Sequence, residues 1–411
     1  MIDLRTMRLS DLHGVARLGV EATAGLTDVV EAMHAAIARP HLGLRGAAPA
    51  RTAGIAGLVY RGIRGTTRLA GTGLGLVLSR QDAAPLRTSA EREAVIAALN
   101  GVLGDHLAAT GNPLAIPMRL HHAGRPLALD AGALSDAVPT PSGKLLVLVH
   151  GLCMNDLQWT RNGHDHGTML AEALGCTPLY LHYNTGLPIV ENGRRLAERL
   201  DALHAAWPVP VEEITLIGHS MGGLVSRSAC SHAARGKQPW MAALRHLVCL
   251  GSPHHGAPLE RGGRWIDTVL GAMPFAAPLA RVGTLRSAGI TDLHHGLARA
   301  AREDAPSAPL PRGVRCYAIA ASTAVAGPRP ARSNPASTAA AGARRRDTLH
   351  ARWIGDGLVP VASALGHHPD PRQAIGFAKR RQWVGHGMHH LDLLDHPQVA
   401  DRLLRWLRAG G

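Results

Sequence analysis

The chain has 411 residues, 46% of them hydrophobic and 18% charged. That supplies one large core with an accessory region, or two domains, and excludes a disordered polyelectrolyte. The formal net charge is +14 with histidine neutral, a surface that attracts anionic partners. No nucleic-acid motif in a helix or sheet context accompanies it, so nucleic acid is not expected as a partner; the first reading is a generally basic surface, and an anionic membrane surface is the next candidate.

The first residues, 1–10, alternate charged and apolar side chains and lack the apolar core of a signal peptide. No run of 18 uninterrupted apolar residues exists to span a bilayer. The expected location is the cytoplasm, with peripheral membrane contact as an option. Residues 1–140 read as a mainly helical accessory region. Apolar residues recur at helical spacing over 12–37, with Thr27 and Asp28 placed to break or cap the helix midway. Over 52–79, apolar residues are interrupted by Arg61, Arg64 and Arg68. This stretch has two readings: a helix packed on its own protein with a solvated basic face, or a basic amphipathic helix in peripheral contact with a membrane. A third helix is expected over 89–107, followed by a Pro-marked link with a short strand near 117–121.

From residue 141 to 411 the texture changes. Strand-like runs alternate with helical patterns, which predicts an α/β fold: a mostly parallel sheet with helices on both faces. Strands are expected at 145–149, 178–183, 213–217, 245–250, 314–321 and 381–384, and helices at 168–174, 189–206, after the Ser220 turn to about 234, and at 397–407. The run 145–149 is apolar throughout, as a strand buried on both faces should be. Residues 322–347, rich in Ala, Pro, Ser and Arg, read as a flexible insertion. Cys153, Cys176, Cys230, Cys249 and Cys316 are odd in number and scattered without a CxxC, so no disulfide framework is implied.

The chemistry concentrates in Gly218-His219-Ser220-Met221-Gly222. A serine hydroxyl is a weak nucleophile until a base takes its proton and a third group orients that base. In a nucleophile elbow the serine sits on a tight turn between strand and helix, and glycines two before and two after it relieve the crowding. The apolar run before Gly218 and the helical run after Gly222 supply that context. The tetrahedral intermediate needs two N–H donors for its oxyanion. One is expected from Met221 and the other from Leu152, in the loop His150-Gly151-Leu152-Cys153 after the first strong strand. His150 itself reads as a brace for this loop.

Acid and base should follow the serine in chain order. Asp356, in Gly355-Asp356-Gly357-Leu358-Val359-Pro360, is the best acid, ahead of Glu303, Asp304 and Asp347. His386, His389 and His390 compete as base; His390 is preferred, since it directly precedes an apolar run and the last helix, with His389 next. The pairs His254-His255 and His367-His368 raise the question of a metal. Without a recurring carboxylate or cysteine spacing they read as loop residues, and no cofactor or metal is expected.

Leu148-Val149-His150-Gly151-Leu152, Gly218-His219-Ser220-Met221-Gly222-Gly223, Gly251-Ser252-Pro253-His254-His255-Gly256 and Gly355-Asp356-Gly357-Leu358-Val359-Pro360 together resemble the lipase-like α/β hydrolases. That group includes bacterial triacylglycerol lipases and GPI inositol-deacylase-like proteins. The resemblance spans about 143–411 and implies a carboxylic-ester hydrolase, esterase or lipase, with the triad Ser220, Asp356 and His390. It also implies a cap over the site at 257–296, where Trp265, Leu270, Met273 and Phe275 are available to an apolar acyl ester. An acyltransferase or thioesterase using the same triad, and a non-catalytic membrane-surface scaffold that retains the fold, are the rival readings.

Overall fold

A computed structural model describes residues 9–38, 58–59, 61–62, 65–66, 89–256, 287–295, 309–324 and 355–408. The chain divides into two compact units, Met1–Arg92 with Leu107–Ala115, and Glu93–His106 with Ile116–Gly411.

The larger unit is built on one eight-stranded sheet. Its strands are β1 (Arg119–His122), β2 (Arg125–Pro126), β3 (Lys144–Val149), β4 (Thr177–His182), β5 (Glu213–His219), β6 (Leu244–Leu250), β7 (Arg315–Ser322) and β8 (Gln382–His386). They run in the order β2-β1-β4-β3-β5-β6-β7-β8. β1 is antiparallel to both neighbours, and β4 through β8 are parallel. The expected architecture, a mostly parallel α/β sheet, is the one observed. Leu145 to Val149 are all buried, because helices cover both faces of a parallel sheet and leave its central strands no polar side.

The topology decides where a site can form. From β3 the chain steps to β4 on one side, then returns to β5 on the other, in register Val149↔Gly218. Such a reversal leaves a crevice beyond the carboxyl ends of the two strands. The loop after β3 and the turn after β5 both open there.

Two helices pack closely on the sheet. Ile189–Ala206 presents Leu196, Ala197, Leu200 and Leu203 to the core, and Met221–Gly236 buries Met221, Leu224, Val225 and Ala229. They approach at Gly193, where a Cβ would lie 2.3 Å from Ser228 Oγ and 3.0 Å from the Ala229 nitrogen. His166–Leu174 is capped at its start by Asp165, which accepts from the Thr168 N–H, and at its end by Gly175 in the left-handed region. Pro397–Arg408 contributes Val399, Leu403 and Leu407 to the core.

In the smaller unit a single helix runs Leu9–Ala38 without interruption. The expected break at Thr27 and Asp28 does not occur, because the Thr27 hydroxyl bonds back to the Thr23 carbonyl at 2.7 Å instead of capping a new helix. Arg92 grips Asp11 through two of its guanidinium nitrogens, Nε and Nη2, at 2.6 and 2.5 Å. Arg17 donates to the carbonyls of Thr110 and Gly111, and Asn112 donates to that of Gly14.

Several sequence expectations lie outside the described residues. Of the expected cap, 257–286 and 296 do, including Trp265, Leu270, Met273 and Phe275; its described part holds a helix, Ala288–His295, with Ile290 and Leu293 buried. Of the insertion 322–347, only 322–324 is described, and of 52–79 only three residue pairs. No helix among the described residues is long and apolar enough to cross a membrane.

Candidate active site

β5 ends at His219 and the next helix begins at Met221, so Ser220 alone makes the turn. Its φ of 53° and ψ of −121° are costly for a residue with a side chain and persist only where the surroundings impose them. They are imposed here by packing. A Cβ on Gly218 would lie 2.4 Å from the Gly223 nitrogen, and one on Gly222 would lie 2.1 Å from the Val149 carbonyl oxygen. The Ser220 N–H donates to the Leu250 carbonyl at 2.7 Å, tying the turn to β6. The serine hydroxyl makes no capping bond to the helix it starts.

The loop after β3 comes directly over this turn. A Cβ on Gly151 would stand 3.1 Å from Ser220 Cβ. Leu152 and Met221 are both buried beside it. The loop is held by the Tyr183 hydroxyl, which donates to the His150 carbonyl at 2.8 Å, and by the Cys153 N–H, which donates to Thr185 Oγ1 at 3.1 Å. His150 stacks on Tyr183, and its Nδ1 lies 3.0 Å from the Gly151 carbonyl. Burial pushes His150 down to about 3, so the ring is neutral and Nδ1–H is the donor.

Asp356 and His390 meet in the interior. His390 Nδ1 lies 2.7 Å from Asp356 Oδ2, and both residues are buried. The other carboxylate oxygen, Oδ1, accepts the N–H groups of Leu358 and Val359 at 2.9 and 2.8 Å. One oxygen is therefore fixed by the backbone turn and the other is left to the imidazole. The His390 N–H also donates to the Asp356 carbonyl at 3.2 Å. Gly251, at φ 59°, sits against the His390 ring, where a Cβ would meet Cε1 and Nδ1 at 3.1 and 3.2 Å. His386 and His389 are exposed, and the His389 N–H is taken by Asp392.

Two positioning contacts carried no separate signal in the sequence. His219, inside the elbow motif, faces His390 with ring centroids 4.8 Å apart, and its Nε2 stands 3.3 Å from the His390 carbonyl. Burial, with His390 nearby, holds His219 well below the usual histidine range. Gly251 opens the Gly-Ser-Pro-His-His-Gly run, and its lack of a side chain leaves room for the His390 ring. The histidine pairs considered for a metal engage protein groups: His254 Nδ1 takes a bond from Arg227 at 3.0 Å, His367 bonds Gln382, and His368 contacts Asp370.

A second cluster of polar side chains lies in the same unit. His121, Asp156 and His182 place one ligand atom each within 4.8 Å of one another. Burial would raise the Asp156 carboxyl, but hydrogen bonds from His121 and His182 outweigh it and hold the group below the usual carboxylate range. These residues come from three elements, and no spacing in the sequence links them.

A mostly parallel sheet with a strained serine after its fifth strand, and an Asp–His pair on the segments after its seventh and eighth, is the arrangement of the α/β-hydrolase fold. Residues 140–269 match the family model of the PGAP1-like alpha/beta domain. Among solved structures, the mature form of the Bacillus licheniformis lipase BlEst2 matches at 17% identity and a TM-score of 0.43, covering 71% of this chain and 97% of that one. A thermophilic esterase from Thermogutta terrifontis matches at 14% identity and a TM-score of 0.36, covering 72% and 94%. The NocB thioesterase domain matches at 19% identity and a TM-score of 0.35, covering 66% and 96%. Among curated proteins no match to the chain was found.

Proposed function

We propose that the protein is a serine hydrolase that cleaves carboxylic esters of apolar acyl groups through an acyl-enzyme on Ser220. The observation that carries this reading is the division of the Asp356 carboxylate between two backbone N–H groups and His390 Nδ1. A carboxylate fixed in this way holds the imidazole in the Nδ1–H tautomer, which leaves Nε2 to accept the serine proton. In this scheme Ser220 Oγ attacks the ester carbonyl as its proton passes to His390. The backbone N–H groups of Leu152 and Met221 take the oxyanion. His390 then protonates the departing alcohol. Water, deprotonated by His390, frees the acid and restores the serine. No cofactor enters these steps. The preference for an apolar acyl group rests on the apolar residues of 257–296 in the sequence.

The test is a p-nitrophenyl ester series from acetate to palmitate with wild type and Ser220→Ala. Activity should fall by about 10⁴- to 10⁶-fold in the variant, and the chain-length profile separates esterase from lipase. A folded wild type that turns over none of these esters and takes no label from a fluorophosphonate would refute the reading. Product analysis with an added alcohol distinguishes hydrolysis from acyl transfer.

A further inference from the structure

His121 and His182 sit on neighbouring antiparallel strands, with Arg119 opposite His182 and His121 opposite Tyr180. Alternate residues of a strand share a face, so the two histidines lie diagonally on the same face of the sheet. His122, one residue on, turns the other way and its Nδ1 meets the Pro178 carbonyl. Asp156 enters from the segment after β3 and opens a short 3-10 turn, Asp156–Trp159. Its Oδ2 lies 2.7 Å from His121 Nδ1, and its Oδ1 lies 2.7 Å from His182 Nδ1. The two rings are stacked, with centroids 5.0 Å apart and planes 12° from parallel.

From this convergence we infer that His121, Asp156 and His182 form a binding site for a divalent transition metal of the zinc type, with water completing the coordination. Two imidazole nitrogens and a carboxylate suit zinc, cobalt and nickel and disfavour magnesium or calcium. Ligand atoms about 2.1 Å from a tetrahedral ion stand about 3.4 Å apart, so the 2.7 Å nitrogen–oxygen contacts are those of the ion-free pair and lengthen by about 0.7 Å when an ion enters between them. Each imidazole carries its proton on Nε2 when metal is bound, freeing the Nδ1 lone pair. The His121 and His182 side chains keep 14% and 13% of their surface exposed and Asp156 only 5%, so an ion can enter from solvent while the carboxylate stays shielded. The site ties β1 and β4 to the segment after β3. It does not depend on the ester chemistry.

The alternative use of the same atoms is a hydrogen-bonded clamp in which both imidazoles donate Nδ1–H to Asp156. Calorimetric titration of the chelator-treated full chain with zinc, and visible absorption with cobalt, separates the two. The chain has 25 histidines, so weak binding elsewhere is expected and the tightest equivalent is the readout. Wild type should take up one tight equivalent that raises Tm. His121→Gln, His182→Gln and Asp156→Asn should each weaken it by more than about 100-fold, beyond the 10–100-fold typical of residues behind a metal's ligands. His367→Gln should leave it unchanged. Circular dichroism identifies any variant that has lost its fold. The absence of a tight equivalent in wild type, or its survival in two folded variants, would overturn the site and leave the clamp.

Discussion

At the scale of single residues, Asp356 is the position where geometry makes the sharpest demand. Its Oδ1 is committed to Leu358 and Val359, so only Oδ2 faces His390. In Asp356→Asn the amide oxygen keeps the two backbone donors, and the amide nitrogen then faces His390 as a donor. That forces the imidazole proton onto Nε2, where it cannot accept from Ser220. The expected result is a loss of about 10⁴ in kcat with little change in Tm, read from ester hydrolysis and thermal unfolding. A variant with near wild-type kcat would exclude Asp356 from the role proposed for it. His386→Ala and His389→Ala make the complementary test. Both rings are exposed, and kcat should stay within about threefold of wild type, since surface substitutions away from a site disturb little. In the sequence, His389 and His390 are adjacent in one loop, and spacing alone does not say which ring turns inward. The distinction comes from the buried Asp356 carbonyl and carboxylate, which bind His390 through both backbone and ring.

At the scale of elements, two helical glycines respond to substitution in opposite directions. In Gly193→Ala the new methyl group meets Ser228 Oγ at 2.3 Å and Cβ at 2.4 Å, inside a helix pair that cannot separate without opening the core. Overpacking of this kind costs about 1–3 kcal/mol. Gly19, in Leu9–Ala38, has nothing within 4 Å of its ideal Cβ. Gly19→Ala should therefore gain about 1 kcal/mol of helix stability. Denaturant unfolding followed by circular dichroism reads both, and a stabilised Gly193→Ala would contradict the close approach of Ile189–Ala206 to Met221–Gly236. The central strands β3, β5, β6 and β7 were legible because burial on both faces writes a mostly apolar run, and Ile189–Ala206 because its period is unbroken. The two-residue β2 has no room for a pattern. The His121–Asp156–His182 cluster was illegible for another reason: its members arrive from two strands and a loop, and only strand pairing brings them together.

At the scale of the whole molecule, the histidine content becomes a statement about acid stability. His150, His166, His219 and His254 are buried, and burial lowers each of them, to about 3 for His150 and about 4 for His166, against an ordinary value of 6.5. Above pH 6.5 these rings are neutral in both folded and unfolded chains, and their protonation does not affect stability. As the pH falls below 6.5 the unfolded chain takes up protons that the folded one refuses until about pH 4. Each such histidine then removes up to about 1.4 kcal/mol of stability per pH unit. Protons taken up below that pH add to a net charge already at +14, so self-repulsion acts in the same direction. The urea midpoint should be highest at neutral to mildly alkaline pH and fall steeply between about pH 6.5 and pH 4, the window set by the histidine values. A midpoint that stays level from pH 7.5 to pH 5 would mean that these rings can charge inside the folded protein, which their burial opposes.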